Sequence, residues 1–213
     1  MRKSLLTLLL GMCCVLTTMA DLPFRNHRYS GFKVLETNPQ SIVFVGNSIT
    51  NMHEWWEAFG NHNVLNRGNS GAVSTELFAN LGDVLSGRPA KIFFMIGTND
   101  LGTSGMNTAA QVAQKVRLAL RQSRELSPAT QLYVQSILPS GVRDQNLQRQ
   151  TNDSLRAICQ EIGNVTYIDL WDALAGVATN VHSNDKLHLS ASGYAIWCNA
   201  LKEYVNGPGG TTV

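Results

Sequence analysis

Charge of one sign, cysteine, internal repeats and long apolar runs are all scarce in this 213-residue chain, and each scarcity removes a class of protein. Lysine plus arginine number 17 against 15 aspartate plus glutamate. Arg2 and Lys3 lie in an N-terminal segment that reads as a secretory leader, and without them the two signs balance at 15 each. No basic block remains to follow a phosphate backbone or an anionic lipid surface, so neither nucleic acid nor a stable membrane association is expected as a partner. The apolar stretch at residues 5–16 falls short of the roughly 20 residues that span a bilayer. Its basic start, with Thr18 and Ala20 at the −3 and −1 positions, predicts cleavage after Ala20 and a secreted or periplasmic product. Lipid attachment at Cys13 or Cys14 fits less well, because Met12 stands where a small residue is preferred. Only Cys159 and Cys198 survive cleavage, too few for a disulfide scaffold. They read as two separate buried thiols, with a single bridge as the alternative.

What is present is one domain's worth of alternating strand and helix signals. Residues 21–205 are enough for one full core and too few for two, and 206–213, rich in glycine, reads as a frayed tail. Short apolar runs at 41–45, 64–66, 90–96, 131–137 and 165–168 read as five buried strands. Helical spacing occupies 74–85, 108–126, 145–162 and 190–205. Strand–helix alternation with continuous rather than alternating apolar strands predicts an α/β fold, a parallel sheet covered on both faces.

In such sheets ligands bind beyond the carboxyl ends of the strands. Three polar, glycine-bearing loops follow the first three strands: Gly46-Asn47-Ser48, Arg67-Gly68-Asn69-Ser70-Gly71 and Gly97-Thr98-Asn99-Asp100. Ser48 at a strand end, with a helix starting behind it, supplies a hydroxyl and a backbone N–H for acyl transfer. Gly71 can bring a second N–H close, and the Asn99 amide is a neutral donor of the kind that oxyanion holes use. Asp185 and His188, three apart, fall on one side of a helix-like turn, so the carboxylate can orient the imidazole as a base. Taken singly, each motif is an ordinary turn, cap or surface pair; their order along the chain gives them weight.

On these four stretches the chain resembles the SGNH hydrolases, the superfamily of GDSL-like lipases and acylhydrolases, from about residue 41 to 194. The matching residues are Gly46-Asn47-Ser48-Ile49, Gly71, Gly97-Thr98-Asn99-Asp100 and Asp185-Lys-Leu-His188. The resemblance implies a three-layer α/β/α sandwich of flavodoxin-like type around a five-stranded parallel sheet. It implies Ser48 as nucleophile, His188 as base, Asp185 as its orienting acid, and Ser48 N–H, Gly71 N–H and the Asn99 amide as the oxyanion hole. Asn47 replaces the family's usual aspartate, which is expected to leave the turn's shape unchanged. Within the superfamily the chain looks most like bacterial sialate O-acetylesterase and platelet-activating-factor acetylhydrolase-like esterases. A serine acetylesterase acting on acetylated carbohydrate is therefore expected. Lysophospholipid or thioester hydrolysis is the alternative, as is an inactive carbohydrate-binding protein on the same scaffold.

Asn47, Trp55 and Asp100 stand close enough in sequence to the first and third motifs to be candidate substrate contacts. For Trp55 and Trp56, packing of a helix on the sheet is the stronger reading, and for Asp100 a role in orienting the Asn99 loop. No cofactor is called for, and no metal is expected, since His53, His62 and His182 lack a recognised ligand spacing with cysteine or acid.

Overall fold

The computed structural model of this protein describes residues 23–102, 106–175 and 181–207. The expected leader over 1–20 and the tail beyond residue 207 lie outside them. Five strands form one parallel sheet in the order β2-β1-β3-β4-β5: β1 (Ile42–Gly46), β2 (Val64–Gly68), β3 (Lys91–Met95), β4 (Gln131–Gln135) and β5 (Val165–Ile168). Because side chains alternate across a strand, β1 and β3 sort their residues cleanly. Val43, Val45, Ile92 and Phe94 enter one apolar layer and Ile42, Phe44, Phe93 and Met95 the other. Both layers are buried, which explains why these stretches of strand are apolar on both faces.

The first layer is closed by α1 (residues 23–34), α4 (Ser74–Ala79), α5 (Leu81–Leu85), α6 (Ala109–Leu126) and α7 (Gln145–Ile162). On the opposite face lie α2 (Ser48–Asn51), α3 (Trp55–Phe59), α8 (Trp171–Ala175) and α9 (Ala191–Asn206). Helix starts are written in the local sequence. Thr108 and Gln111 form a reciprocal capping box at α6, the Asp144 side chain caps α7, and Ser190 caps α9. In the second layer Trp55 stacks on Phe44 with ring centroids 4.1 Å apart, and Phe44 in turn lies 4.8 Å from Phe93. Truncating a ring in such a stack to alanine costs about 3–5 kcal/mol.

The expected sheet and the helices 108–126, 145–162 and 190–205 correspond to observed elements within a few residues. Three differences have local causes. The helix read over 74–85 is two helices, because Asn80 turns its amide back onto the Glu76 carbonyl and leaves α-helical geometry (φ −103°, ψ 8°). β4 stops at Gln135 rather than 137 because the Asn152 side chain takes over both backbone groups of Ile137. Asn206, assigned to the tail, is the last residue of α9, where three backbone carbonyls from residues 204, 205 and 207 surround the buried Lys91 ammonium. The short helices α1 and α8 were not anticipated. Cys159 and Cys198 are free thiols, and they belong to opposite layers, so the sheet separates them.

Candidate functional site

The strand order reverses between β1 and β3: the chain leaves β1 toward β2 on one side and later returns to β3 on the other. The loops after these two strands therefore diverge and leave a crevice at the carboxyl edge of the sheet. Ser48 and Asn99 stand on those two loops.

Ser48 opens α2 directly after β1. Asn47 sits at the N-cap in extended geometry and its side-chain oxygen accepts the Ile49 N–H at 3.0 Å. Ser48 is thus the first residue of the helix, where a backbone N–H has no partner within the helix. The tight strand-to-helix turn depends on Gly46, since a Cβ there would lie 2.1 Å from Thr50 Oγ1 and 2.6 Å from the Met95 carbonyl oxygen. From above, the Tyr194 hydroxyl donates to the Ile49 carbonyl at 2.7 Å, tying α9 to the residue after Ser48.

The structure brings Ser48, His188 and Asp185 together from 140 residues apart. Ser48 Oγ lies 2.8 Å from His188 Nε2, and His188 Nδ1 lies 2.5 Å from Asp185 Oδ2. The other Asp185 oxygen accepts from Ser183 Oγ and from the backbone N–H groups of Leu187 and His188, at 2.7, 3.0 and 2.9 Å. The His188 contact first, and then the Leu187 N–H, hold the Asp185 carboxyl well below the usual carboxylate range. Asp185 is half exposed, so it is geometry rather than burial that fixes it. A carboxylate on Nδ1 leaves Nε2 to face the hydroxyl, the arrangement needed for proton abstraction from Ser48.

Gly71 and Asn99 stand on two neighbouring loops after β2 and β3. Gly71 has φ +76°, a conformation that favours glycine. The Asn99 amide donates to the Ala72 carbonyl at 3.0 Å, which links the two loops and leaves its second N–H uncommitted. Beneath them the fully buried Asp100 carboxylate accepts Ser74 N–H at 3.0 Å and Ser74 Oγ at 2.5 Å, and pairs with Lys115 at 3.2 Å. It clamps the start of α4, just after Gly71, to the loop that carries Asn99. The α1 helix adds an outer brace. Arg28 donates to the Gly68 and Asn66 carbonyls, and Asn69 donates to the Arg25 carbonyl.

Three expected substrate contacts are corrected. Asn47 and Trp55 are each 1% exposed and Asp100 is fully buried. Trp55 spends its indole N–H on the Thr50 carbonyl, Asn47 on its N-cap and Asp100 on Ser74 and Lys115. All three hold the walls of the site and present no face to a ligand. His53 lies against Tyr194 and Cys198, the latter at 3.2 Å, and burial lowers its pKa. Among the described residues no three His, Cys, Asp or Glu side chains gather as a metal cluster would require. Tyr194, Ser183, Ser74 and the α1 arginines were missed. Their roles come from tertiary contacts that leave no periodic or motif signal; only Ser183, two residues before Asp185, sat within reach of a local reading.

Comparison with known proteins gives consistent results. A model of the GDSL-like lipase/acylhydrolase family matches residues 44–196. The human platelet-activating factor acetylhydrolase IB subunit alpha1 is 29% identical over 174 residues, spanning 75% of this chain and 73% of that protein. Among solved structures, a Streptococcus pneumonia protein named for platelet activating factor superposes with a TM-score of 0.82 at 25% identity, over 92% of this chain and 99% of the other. A family 3 carbohydrate esterase from Talaromyces cellulolyticus shares the fold, with a TM-score of 0.66 at 19% identity over 78% of this chain and 96% of the other.

Proposed function

We propose that this chain, which belongs to the GDSL-like lipase/acylhydrolase family and is a carboxylic ester hydrolase, works through an acyl-enzyme on Ser48 and removes short acyl groups, chiefly acetyl, from carbohydrate. His188 takes the Ser48 proton as the hydroxyl attacks the ester carbonyl, and Asp185 stabilises the imidazolium that results. The oxyanion of the tetrahedral intermediate is received by the backbone N–H groups of Ser48 and Gly71 and by the uncommitted N–H of Asn99. His188 then passes its proton to the departing alkoxide, and activates a water that attacks the acyl carbon and frees Ser48.

The observation that carries this reading is the continuous Ser48–His188–Asp185 contact, with separations of 2.8 and 2.5 Å. A merely retained scaffold would be under no demand to keep all three groups in line. The similarity to a carbohydrate esterase fold supports the sugar half of the proposal, and the acetylhydrolase relatives support the acetyl half. The test is hydrolysis of p-nitrophenyl acetate and of acetylated sugars by the mature protein beside its Ser48→Ala variant. Turnover by the first and none by the second is expected; equal inertness of both would remove the acyl-enzyme.

One observation favours a second reading, hydrolysis of lysophospholipid or thioester acyl groups. Met106, 85% exposed, donates its N–H to the Gly102 carbonyl, and the Gly102 N–H reaches the Asn99 carbonyl at 3.2 Å. This exposed apolar side chain is thereby tethered to the Asn99 loop and would suit a longer chain. A series of p-nitrophenyl esters from C2 to C12 decides: kcat/KM falling with length supports the acetyl reading, and rising supports the second. The leader read at residues 1–20 supports a secreted or periplasmic site of action.

A further inference from the structure

Ser48 opens a helix that cannot hold itself. α2 is a single turn, Ser48–Asn51, far below the length at which an isolated helix is favourable in water. Its carbonyls are of the kind that a helix end leaves without backbone partners. The Ser48 carbonyl accepts the Met52 N–H at 2.9 Å. The next three are each met by a side chain from a different element. The Tyr194 hydroxyl of α9 donates to the Ile49 carbonyl at 2.7 Å, the Trp55 indole N–H of α3 to that of Thr50 at 2.8 Å, and the Asn66 amide of β2 to that of Asn51 at 3.0 Å. The place of the nucleophile is therefore set by tertiary donors rather than by helix propensity.

Of these three donors, Tyr194 is the one that shares a segment with the base, and that segment is braced from His188 onward. The His188 carbonyl accepts the Ser183 N–H at 2.8 Å, and Leu189 pairs with His182 in an antiparallel bridge. The Ser190 N–H donates to the Val181 carbonyl at 2.9 Å; Ser190 then caps α9, and its carbonyl accepts the Tyr194 N–H at 3.0 Å. The Tyr194 ring is buried and stacked, 4.3 Å from the His53 ring at an interplanar angle of 1° and 6.0 Å from Trp197 at 15°. Burial pushes the pKa of its phenol well above the ordinary 10.0, so the group keeps the proton that it donates. A hydroxyl on a fixed ring in the base's own segment thus grips the residue after the nucleophile, in parallel with the 2.8 Å contact between Ser48 Oγ and His188 Nε2.

We propose that Tyr194 is a positioning residue of the reaction, whose hydroxyl sets the separation between Ser48 Oγ and His188 Nε2 by fastening α2 to the segment that carries the base. The inference rests on the esterase reading above. Tyr194 acts through the Ile49 backbone rather than on the substrate. Proton transfer from serine to histidine needs a separation of about 2.6–3.2 Å, and a misplacement of about 1 Å can cost roughly 10²-fold in rate. The Trp55 and Asn66 tethers fix α2 to α3 and β2, which carry no member of the triad, so they leave that separation to Tyr194.

The experiment compares wild type with Tyr194→Phe, which keeps both ring stacks and removes only the oxygen, in hydrolysis of p-nitrophenyl acetate at a temperature where melting curves show both proteins folded. The variant's kcat is expected to fall by about tenfold to a hundredfold with KM within about twofold of wild type. Its crystal structure is expected to show Ser48 Oγ and His188 Nε2 farther apart than about 3.2 Å. Replacing Tyr194 by 4-aminophenylalanine returns a donor on the same ring and is expected to bring kcat back to within about threefold of wild type. Four results overturn the proposal and leave the esterase reading intact: a Tyr194→Phe kcat within about threefold of wild type, a loss carried by KM, a Ser48–His188 contact unchanged in the crystal, or no recovery with the amino group. A Tyr194→Phe protein that does not fold overturns it as well, by making the hydroxyl a requirement of the fold. Should wild type hydrolyse no ester, the esterase reading falls separately, and the crystal structure of the variant alone decides whether the hydroxyl sets the separation.

Discussion

Replacing Asp185 with asparagine changes one oxygen into an amide nitrogen at unaltered size, and the surrounding hydrogen bonds say which way the amide must sit. One Asp185 oxygen accepts three donors, from Ser183, Leu187 and His188, while the other meets only His188 Nδ1. An amide oxygen turned toward Nδ1 would set its NH2 against three donors; turned the other way it keeps all three. The second orientation wins, and it aims an N–H at Nδ1. The imidazole then has to accept at Nδ1 and carry its proton on Nε2, the atom 2.8 Å from Ser48 Oγ. A base with its proton already in place cannot take another. In the Ser-His-Asp template this error lowers kcat by about 10⁴. The half exposure of Asp185 lets water satisfy some of the three donors and permit a minority of correct amides, so kcat for Asp185→Asn should fall by roughly 10³–10⁴ with KM little changed. Stopped-flow and steady-state hydrolysis of p-nitrophenyl acetate reads this directly, with circular dichroism to show that the fold persists. A rate within tenfold of wild type would refute the tautomer argument and remove Asp185 from the mechanism.

Asn99→Ala should reduce kcat by roughly 10²–10³ with a small KM effect, provided its free N–H meets only the oxyanion; a pure KM change would make it a ground-state contact instead. Asp100→Ala removes the ion-pair partner of Lys115, which keeps its bond to Asn107, and the acceptor of two Ser74 donors, and should lower unfolding free energy by about 3 kcal/mol in a urea titration, with kcat falling because the loops of Gly71 and Asn99 lose their common clamp. An unchanged midpoint would show that Lys115 and Ser74 find other partners. Burial raises the pKa of the Cys159 thiol to about 12 and of Cys198 to about 11 from an ordinary value near 9.0. Above pH 9 the unfolded chain sheds these protons while the folded chain keeps them, so stability must decline as pH climbs from about 9 toward 11. A thermal midpoint that holds constant over that interval, or that falls equally in a Cys159→Ala, Cys198→Ala double variant, would contradict this.

How much of this was legible in the chain depends on the range of the interaction concerned. The strands at residues 165–168 and the helix at 145–162 match the observed bounds, because a buried parallel strand and an amphipathic helix impose their period on neighbouring residues. Ser48, Gly71, Asn99, Asp185 and His188 were legible because each sits in a short motif with its own backbone demand. What supports them was not. Tyr194 reaches Ile49 across 145 positions and Asp100 reaches Ser74 across 26, and a tyrosine in a helix or an aspartate in a turn carries no mark of its distant partner. Asp100 also shows why proximity in sequence misleads. It adjoins Asn99, yet a turn sends successive side chains in different directions, one toward the crevice and one into the core.

The same reasoning explains why the departure at Asn47 is tolerated. The turn asks residue 47 for one acceptor, delivered to the Ile49 N–H at 3.0 Å, and an amide oxygen serves as well as a carboxylate oxygen. What the amide adds is an NH2 that is buried and unpaired, a cost of about 1–3 kcal/mol. What it avoids is a second buried anion, besides Asp100, close to Ser48. A full charge in that position would have to be desolvated, and the penalty for that exceeds the penalty for an idle N–H. The neutral residue is therefore the one that this particular turn, with Gly46 packed against Thr50, accommodates at the smaller cost.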